Sequence, residues 1–279
     1  MKKLILFILF YFLSFNAYAG TATGVTFVGT GLNQGVVNKI LPVGDSITAG
    51  VGWDNDGDST NDWGWRQDLQ DLLGIGVYDF AGSVTRPTSD ATYDVDNWGT
   101  SGQIASWFLS SSGPTNGMIY ELNRSMNNAG PESKLLLHIG TNDIILQYID
   151  DVNKKTNAQI ITSILAIIDV IHNFNPSIDI YCALVVPDRR SGQEVYWGAF
   201  HDDLEAALIT KQATVTNLVI VDMYEAFVND RYGDCGGDWY NNCMNPFSGD
   251  HPSATGYTVM AKQWNACIQS SSNPGCNGN

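Results

Sequence analysis

Apolar runs alternate with amphipathic stretches along most of the chain. Residues 38–43 (NKILPV) form a short apolar run ending at Gly44, and WRQDLQDLL at 65–73 carries its apolar positions at helical spacing. GVYDFAG at 76–82 predicts a strand, PTNGMIYELNRSMNNA at 114–129 a helix opened by proline, and KLLLHIG at 134–140 another strand. A long amphipathic helix is predicted over 154–174, followed by the strand IDIYCALVVP. The helix EVYWGAFHDDLEAALITKQ at 194–212, the strand LVIVDM at 218–223 and a last helix, ATGYTVMAKQWNACI at 254–268, complete the pattern. Continuously apolar strands alternating with helices predict a parallel sheet covered on both faces. Such sheets place their sites beyond the carboxyl ends of the strands. The length, 279 residues, suits one α/β domain of that kind, and neither an internal repeat nor a linker divides it. The domain is expected over 38–279, after an extension at 20–37. GTGLNQG at 29–35 lacks both GxGxxG spacing and a following helix, so it reads as a flexible segment of that extension rather than a nucleotide loop.

The first nineteen residues stand outside this pattern. Lys2 and Lys3 precede the apolar run LILFILFYFLSF, and Ala17-Tyr18-Ala19 is a small-x-small cleavage site. These are the marks of a secretory signal peptide, which predicts an exported, soluble mature protein. No cysteine follows the cleavage site to carry a lipid, and no later segment is expected to span a membrane. Formal charge is -15, and losing the two lysines takes it to -17. So acidic a chain disfavours nucleic acid, anionic lipid and polyanionic polymers, and favours a neutral substrate. Export also permits disulfides. Four of the five cysteines lie near the C-terminus at spacings that suggest Cys235–Cys243 and Cys267–Cys276, and no CxxC or histidine spacing supports zinc there. Cys182, inside an apolar run, reads as a buried free thiol.

Candidate chemistry falls at the strand ends. Gly44-Asp45-Ser46-Ile47 places a serine at the mouth of a helix, where backbone N–H groups face any developing negative charge. Gly140-Thr141-Asn142-Asp143 offers an uncharged amide that can donate to an oxyanion. Between them lies Asn97-Trp98-Gly99-Thr100-Ser101-Gly102-Gln103, whose glycines let a substrate approach the backbone. His251-Pro252 follows just before the last helix.

GDSI, a glycine-bearing second block, GTND and a late HP pair, in that order, resemble the SGNH (GDSL-type) serine hydrolases over nearly the whole chain. GDSITAG at 44–50, the run from Gly64 to Leu73, DFAGS at 79–83, LLHIGTNDI at 136–144 and HPSATGYTVMAKQW at 251–264 are most similar to carbohydrate esterase family 3, the acetylxylan-esterase-like group. The resemblance implies a flavodoxin-like three-layer α/β/α sandwich with a parallel sheet. It implies Ser46 as nucleophile, His251 as general base, and an oxyanion hole formed by the N–H groups of Ser46 and Gly102 with the Asn142 side chain; Gly99 is the alternative to Gly102. The substrate expected is an O-acetylated polysaccharide such as xylan. A lipase or thioesterase for longer acyl chains, an esterase of acetylated peptidoglycan, and a catalytically silent carbohydrate-binding protein of the same fold are the rival readings.

The family's supporting acid stands three residues before the histidine, where this chain has Ser248. In an extended turn adjacent side chains point apart, which disfavours Asp250. The favoured partner for the ring is then the Ser248 backbone carbonyl, with Asp250 or a more distant acid such as Asp238 as alternatives. The acidic stretch after the first block, WDNDGDSTND, places Asp54, Asp56, Asp58 and Asp62 where Ca²⁺ could brace the loop beside Ser46, although the chemistry requires no metal. Of eight tryptophans most are expected in the core, while Trp53, Trp98 and Trp239 are candidates for stacking on sugar rings.

Overall fold

The computed structural model describes residues 37–51, 63–85, 92–110, 117–149, 154–190, 194–246, 248–272 and 275–277. The segment read as a signal peptide, most of the expected N-terminal extension, Trp53 and the acidic residues Asp54, Asp56, Asp58 and Asp62 lie outside them. Val36–Asn279 forms one compact unit.

In chain order the elements are β1 (Lys39–Gly44), α1 (Ser46–Ala49), α2 (Trp65–Leu73), β2 (Asp79–Phe80), β3 (Val84–Thr85) and β4 (Asp96–Gly99). A 3-10 turn at Ala105–Leu109 precedes α3 (Met118–Ser125), β5 (Lys134–His138), α4 (Thr141–Ile149) and α5 (Asn157–Phe174). Then come β6 (Asp179–Leu184), α6 (Glu194–Gln212), β7 (Leu218–Asp222), α7 (Met223–Val228), α8 (Trp239–Asn242) and α9 (Ala254–Gln269). The sheet order is β3-β4-β1-β5-β6-β7, with β2 also pairing to β1. Among these strands only the β3–β4 pair is antiparallel.

The apolar runs explain the layers. Because side chains alternate across a strand, a run that is apolar throughout feeds two cores at once. Leu135 and Leu137 of β5 face one core with Ile180, Cys182 and Leu184 of β6, beneath α5 and α6. Leu136, Tyr181 and Ala183 face the other, beneath α2, α7 and α9. Helix α5 is long and apolar enough to cross a membrane by length and composition, contrary to the expectation that no later segment would be. Its buried stripe of Ile160, Ile164, Ile167, Ile168 and Ile171 belongs to the first core.

Both expected disulfides are present, Cys235–Cys243 and Cys267–Cys276, and Cys182 is a buried free thiol. The second bridge pins the C-terminal tail along β7, where Asp222 N–H donates to Gly275 O at 2.7 Å and Asn277 N–H to Ile220 O at 2.9 Å. Backbone groups at the edge of that strand are thereby paired with the chain's own tail.

The strand register sets the site. Gly44 pairs with Gly99 on one side and with His138 on the other. The segments that follow each strand therefore emerge together at one edge of the sheet: Asp45-Ser46, Thr100–Gly102 and Gly140–Asn142.

Candidate active site

Ser46 is the first residue of α1 and is 9% exposed. Gly44 lets the turn close. A Cβ there would come within 2.1 Å of the His138 carbonyl oxygen and 2.3 Å of Thr48 Oγ1, so only glycine fits. Asp45 caps the helix by accepting the Ile47 N–H at 3.0 Å. Its carboxyl is fully buried, and burial drives its pKa up to about 7 against the Ile47 N–H and the nearby His251, with the charge of Asp143 adding to the rise.

His251 reaches this turn from the far end of the chain. Its Nε2 lies 2.7 Å from Ser46 Oγ. The segment carrying it is a closed loop: Asn245 N–H donates to His251 O at 2.8 Å, Gly249 N–H to Asn245 O at 3.0 Å, and Arg189 N–H to Gly249 O at 2.9 Å. The Cys235–Cys243 bridge closes the segment just before it.

The other ring nitrogen corrects the sequence reading. Nδ1 lies 2.9 Å from Asp250 Oδ1 and 3.2 Å from Ser248 Oγ. Ser248 thus meets the ring with its hydroxyl, not with the carbonyl favoured from sequence, and the acid is the neighbouring Asp250. The extended turn assumed for residues 248–251 is absent. Gly249 adopts a left-handed φ of 76°, which turns the chain between Ser248 and Asp250, and both side chains reach the ring. Burial alone would raise the Asp250 pKa, but the hydrogen bond and charge of His251, with Arg190 adding to them, hold it below the ordinary carboxylate range. Arg190 is itself clasped by buried Asp188 through Nε and Nη2. Asp238, the distant alternative, instead accepts the N–H and side-chain amide of Asn241 at the start of α8.

Asn142 opens α4 beside the serine, and its Nδ2 donates to Gln103 O at 3.0 Å. That bond uses one amide proton and leaves the second. Gly102 lies exposed at the turn after β4 with φ 75°, and a Cβ there would meet nothing within 4 Å, so its surroundings are open to an incoming group. Gly99 is placed differently. It is buried, and its N–H donates to Asn97 Oδ1 at 2.8 Å, which commits the donor that an oxyanion would need. Trp98 is 3% exposed and packs edge-on against Phe108, so it is a core residue and not a sugar platform. Trp239 is half-buried against the second core. Among the described residues no group of three or more His, Cys, Asp or Glu could hold a metal.

A hydroxyl on an imidazole, with the imidazole on a carboxylate, is an arrangement that turns a serine into a nucleophile. The sequence profile of the GDSL-like lipase/acylhydrolase family matches residues 43–259. No curated protein matches the chain. Among solved structures, an acetyl esterase mutant with an acetate ion is similar over 82% of this chain and 95% of its own, at 17% identity and a TM-score of 0.60. A carbohydrate esterase family 3 protein from Talaromyces cellulolyticus gives 82% and 95% coverage, 19% identity and a TM-score of 0.58. The family 3 carbohydrate esterase of Clostridium thermocellum gives 81% and 92%, with 23% identity and a TM-score of 0.56. At these identities the likeness establishes a shared fold. The profile match spans well over half of the sequence, so the chain belongs to the GDSL-like lipase/acylhydrolase family and is a carboxylic ester hydrolase.

Proposed function

We propose that the protein is an exported acetylesterase acting on an O-acetylated polysaccharide such as xylan, through an acetyl-enzyme on Ser46. The observation that carries this reading is the Ser46 Oγ–His251 Nε2 contact of 2.7 Å at the sheet edge that also presents Gly102 and Asn142. Ser46 Oγ attacks the ester carbonyl carbon while Nε2 takes its proton. The carbonyl oxygen becomes an oxyanion, which the N–H groups of Ser46 and Gly102 and the spare amide proton of Asn142 receive. Asp250 and Ser248 hold the ring through Nδ1 and favour its charged form as it develops. The imidazolium then protonates the leaving sugar oxygen as the carbon–oxygen bond breaks. Water repeats the sequence on the acetyl-serine, releasing acetate and restoring the hydroxyl.

Two further observations bear on the substrate. An apolar cavity of about 390 Å³ among Phe108, Met118, Ile119, Tyr120 and Val170 is lined by none of Ser46, Gly102, Asn142 or His251, so that cavity is not where this serine's acyl group would lie. The chain's acidity disfavours polyanionic substrates. The likeness to carbohydrate esterases and to an acetyl esterase supports the proposed substrate. Disulfides accord with export.

The test compares hydrolysis of acetyl and octanoyl p-nitrophenyl esters, with Ser46→Ala alongside, followed by acetate release from acetylated xylan. Acetyl preference lost in Ser46→Ala, together with acetate release, is the expected result. Octanoyl preference would overturn the acetyl assignment. Turnover that survives in Ser46→Ala would overturn the nucleophile.

A further inference from the structure

Asp143 follows Asn142 in α4, is 1% exposed, and has no part in the proton transfers above. Its Oδ2 accepts the Ala105 N–H at 2.7 Å, and its Oδ1 accepts from Lys155 Nζ at 3.1 Å. The same ammonium donates to the Ser106 hydroxyl at 2.7 Å. One buried carboxylate and one lysine thus join the start of α4, the approach to α5 and the head of the 3-10 turn. The turn begins three residues after Gly102, and α4 carries Asn142 next to Asp143.

The two oxyanion donors otherwise belong to different strands' trailing segments. Residues 100–103 are tied at one end by the Thr100 N–H to Gly44 O, at 2.9 Å, and across themselves by a long Gln103 N–H to Thr100 O bond of 3.3 Å. Gly102, at φ 75° and bordering open space, gains nothing from packing of its own. The link from this loop to α4 is made by Asn142 Nδ2 to Gln103 O and, one residue beyond Ile104, by Asp143 to Ala105. We propose that Asp143 and Lys155 are positioning residues, a buried strut that fixes the distance between the oxyanion donors Gly102 and Asn142. The inference rests on the acyl-transfer reading, since only a developing oxyanion gives that distance a purpose.

A charge at this place is costly, which argues that it serves the geometry. Burial pushes the Asp143 carboxyl above its ordinary pKa, and the Ala105 N–H and Lys155 oppose that rise. The Asp45 carboxyl stands close enough for its pKa to feel the Asp143 charge. Without Lys155 the buried carboxylate would lose its cation and the turn would lose its second tie at Ser106, so the loop bearing Gly102 would be free to shift against Asn142. A shift of about 1 Å in such a site costs roughly a hundredfold in rate.

The experiment measures kcat and KM on p-nitrophenyl acetate for the wild type and for Ser46→Ala, Lys155→Met, Lys155→Arg, Asn142→Ala and the Asn142→Ala/Lys155→Met pair. In Lys155→Met, kcat should fall about 10- to 100-fold with KM within about threefold, because the donors act on the transition state. Lys155→Arg should recover at least a third of the lost activity. The double variant should lose less than the product of the two single losses, because both act through one oxyanion hole. Should Lys155→Met not fold, Ser106→Ala removes one anchor of the ammonium and should lower kcat about threefold at unchanged KM. A folded Lys155→Met, or in its place Ser106→Ala, with wild-type kcat overturns the strut, as does a change confined to KM or strictly multiplicative losses. A wild type lacking Ser46-dependent turnover would instead remove the acyl-transfer reading beneath it.

Discussion

Replacing Asp250 by asparagine tests whether a carboxylate next door to the histidine in sequence does the work of the family's more distant acid. Asparagine keeps the shape and can still accept from Nδ1, so the change removes charge alone. Two contributions are lost. The 2.9 Å bond from Nδ1–H becomes neutral. Charge-assisted bonds are worth about 1.5–3 kcal/mol and neutral ones about 1, so this costs about 1 kcal/mol. The imidazolium that forms during attack also loses its counter-charge. At about 4 Å and an effective dielectric of about 20 the Coulomb attraction is about 4 kcal/mol. Asp250 and His251 side chains are 21% and 16% exposed, so solvent screening roughly halves it. The bond to the neutral ring is weakened in ground and transition states alike. Only the counter-charge, about 2 kcal/mol, therefore lowers the rate, by roughly thirtyfold in kcat/KM. That is milder than the roughly ten-thousandfold loss for the aspartate of a serine-protease triad, because Ser248 Oγ remains 3.2 Å from Nδ1 as an acceptor. The assay is steady-state hydrolysis of p-nitrophenyl acetate, with circular dichroism to confirm folding. Adding Ser248→Asp to the Asp250→Asn variant should restore at least about tenfold, since position 248 already reaches the ring. An Asp250→Asn enzyme within about threefold of wild type would refute the reasoning and make the carboxylate a spectator.

Two other predictions concern the frame around the site. Gly44→Ala drives a Cβ to 2.1 Å from the His138 carbonyl oxygen and should prevent folding or cost at least about 3 kcal/mol. Gly102→Ala meets nothing within 4 Å and carries only left-handed strain, about 1–2 kcal/mol, so it should stay folded; equal melting temperatures for the two variants would contradict this account. His201, buried in α6, has Nδ1 3.0 Å from Asp202 Oδ1 and Nε2 3.4 Å from Asp222 Oδ1. Burial lowers its pKa, but the Asp222 and Asp202 carboxylates beside the ring outweigh that and raise it to about 9 from 6.5. A raised histidine pKa means the folded state holds the proton more tightly, so its stabilisation is complete below about pH 6.5 and is lost as pH rises through about 9. The melting-temperature gap between wild type and His201→Gln should therefore narrow across that window; a constant gap would show that the pair does not titrate as described.

The strongly patterned elements were legible because periodicity and burial coincide. Helix α2 and helix α6 match their predicted bounds, and β5, β6 and β7 fall inside their apolar runs. β4, residues DNWG, escaped because it has no apolar run. It is held by pairing to β1 and by Asn97 bonding the Gly99 N–H, neither of which periodicity records. The strand predicted at 76–82 shrinks to Asp79–Phe80, bracketed by Gly76 and Gly82 at positive φ. The helix predicted to run to 129 stops at Ser125, and Asn128 turns left-handed at φ 63°. At the site, Ser46, Asn142 and His251 could be placed because each follows a predicted strand or precedes a helix. Gly102, after the unpredicted β4, could be placed by the family resemblance. Asp143 and Lys155 could not, since their meeting depends on how α4 and the start of α5 pack on the 3-10 turn. A charged residue directly before the apolar face of α4 was the available hint. The partner of His251 was misjudged for a local reason: the glycine before Asp250 signals a tight turn, and an extended one was assumed.

That misjudgement bears on what motif spacing can establish. The base needs an acceptor along the Nδ1–H direction, and backbone conformation decides which residue supplies it. Here Asp250, following the left-handed turn at Gly249, stands 2.9 Å from Nδ1, in the role the resemblance gives to an acid three residues before the histidine. The missing aspartate at 248 is therefore poor support for a silent carbohydrate-binding protein. Electrostatics argue the same way. Asp45 and Asp143 are both buried, and burial pushes both carboxyls up, Asp45 to about 7, so each weighs against stability near neutrality. A fold that only held a sugar on its surface would lose nothing by filling those positions with uncharged side chains. Their cost is intelligible where one caps the turn of a reacting serine and the other spaces the donors that receive an oxyanion.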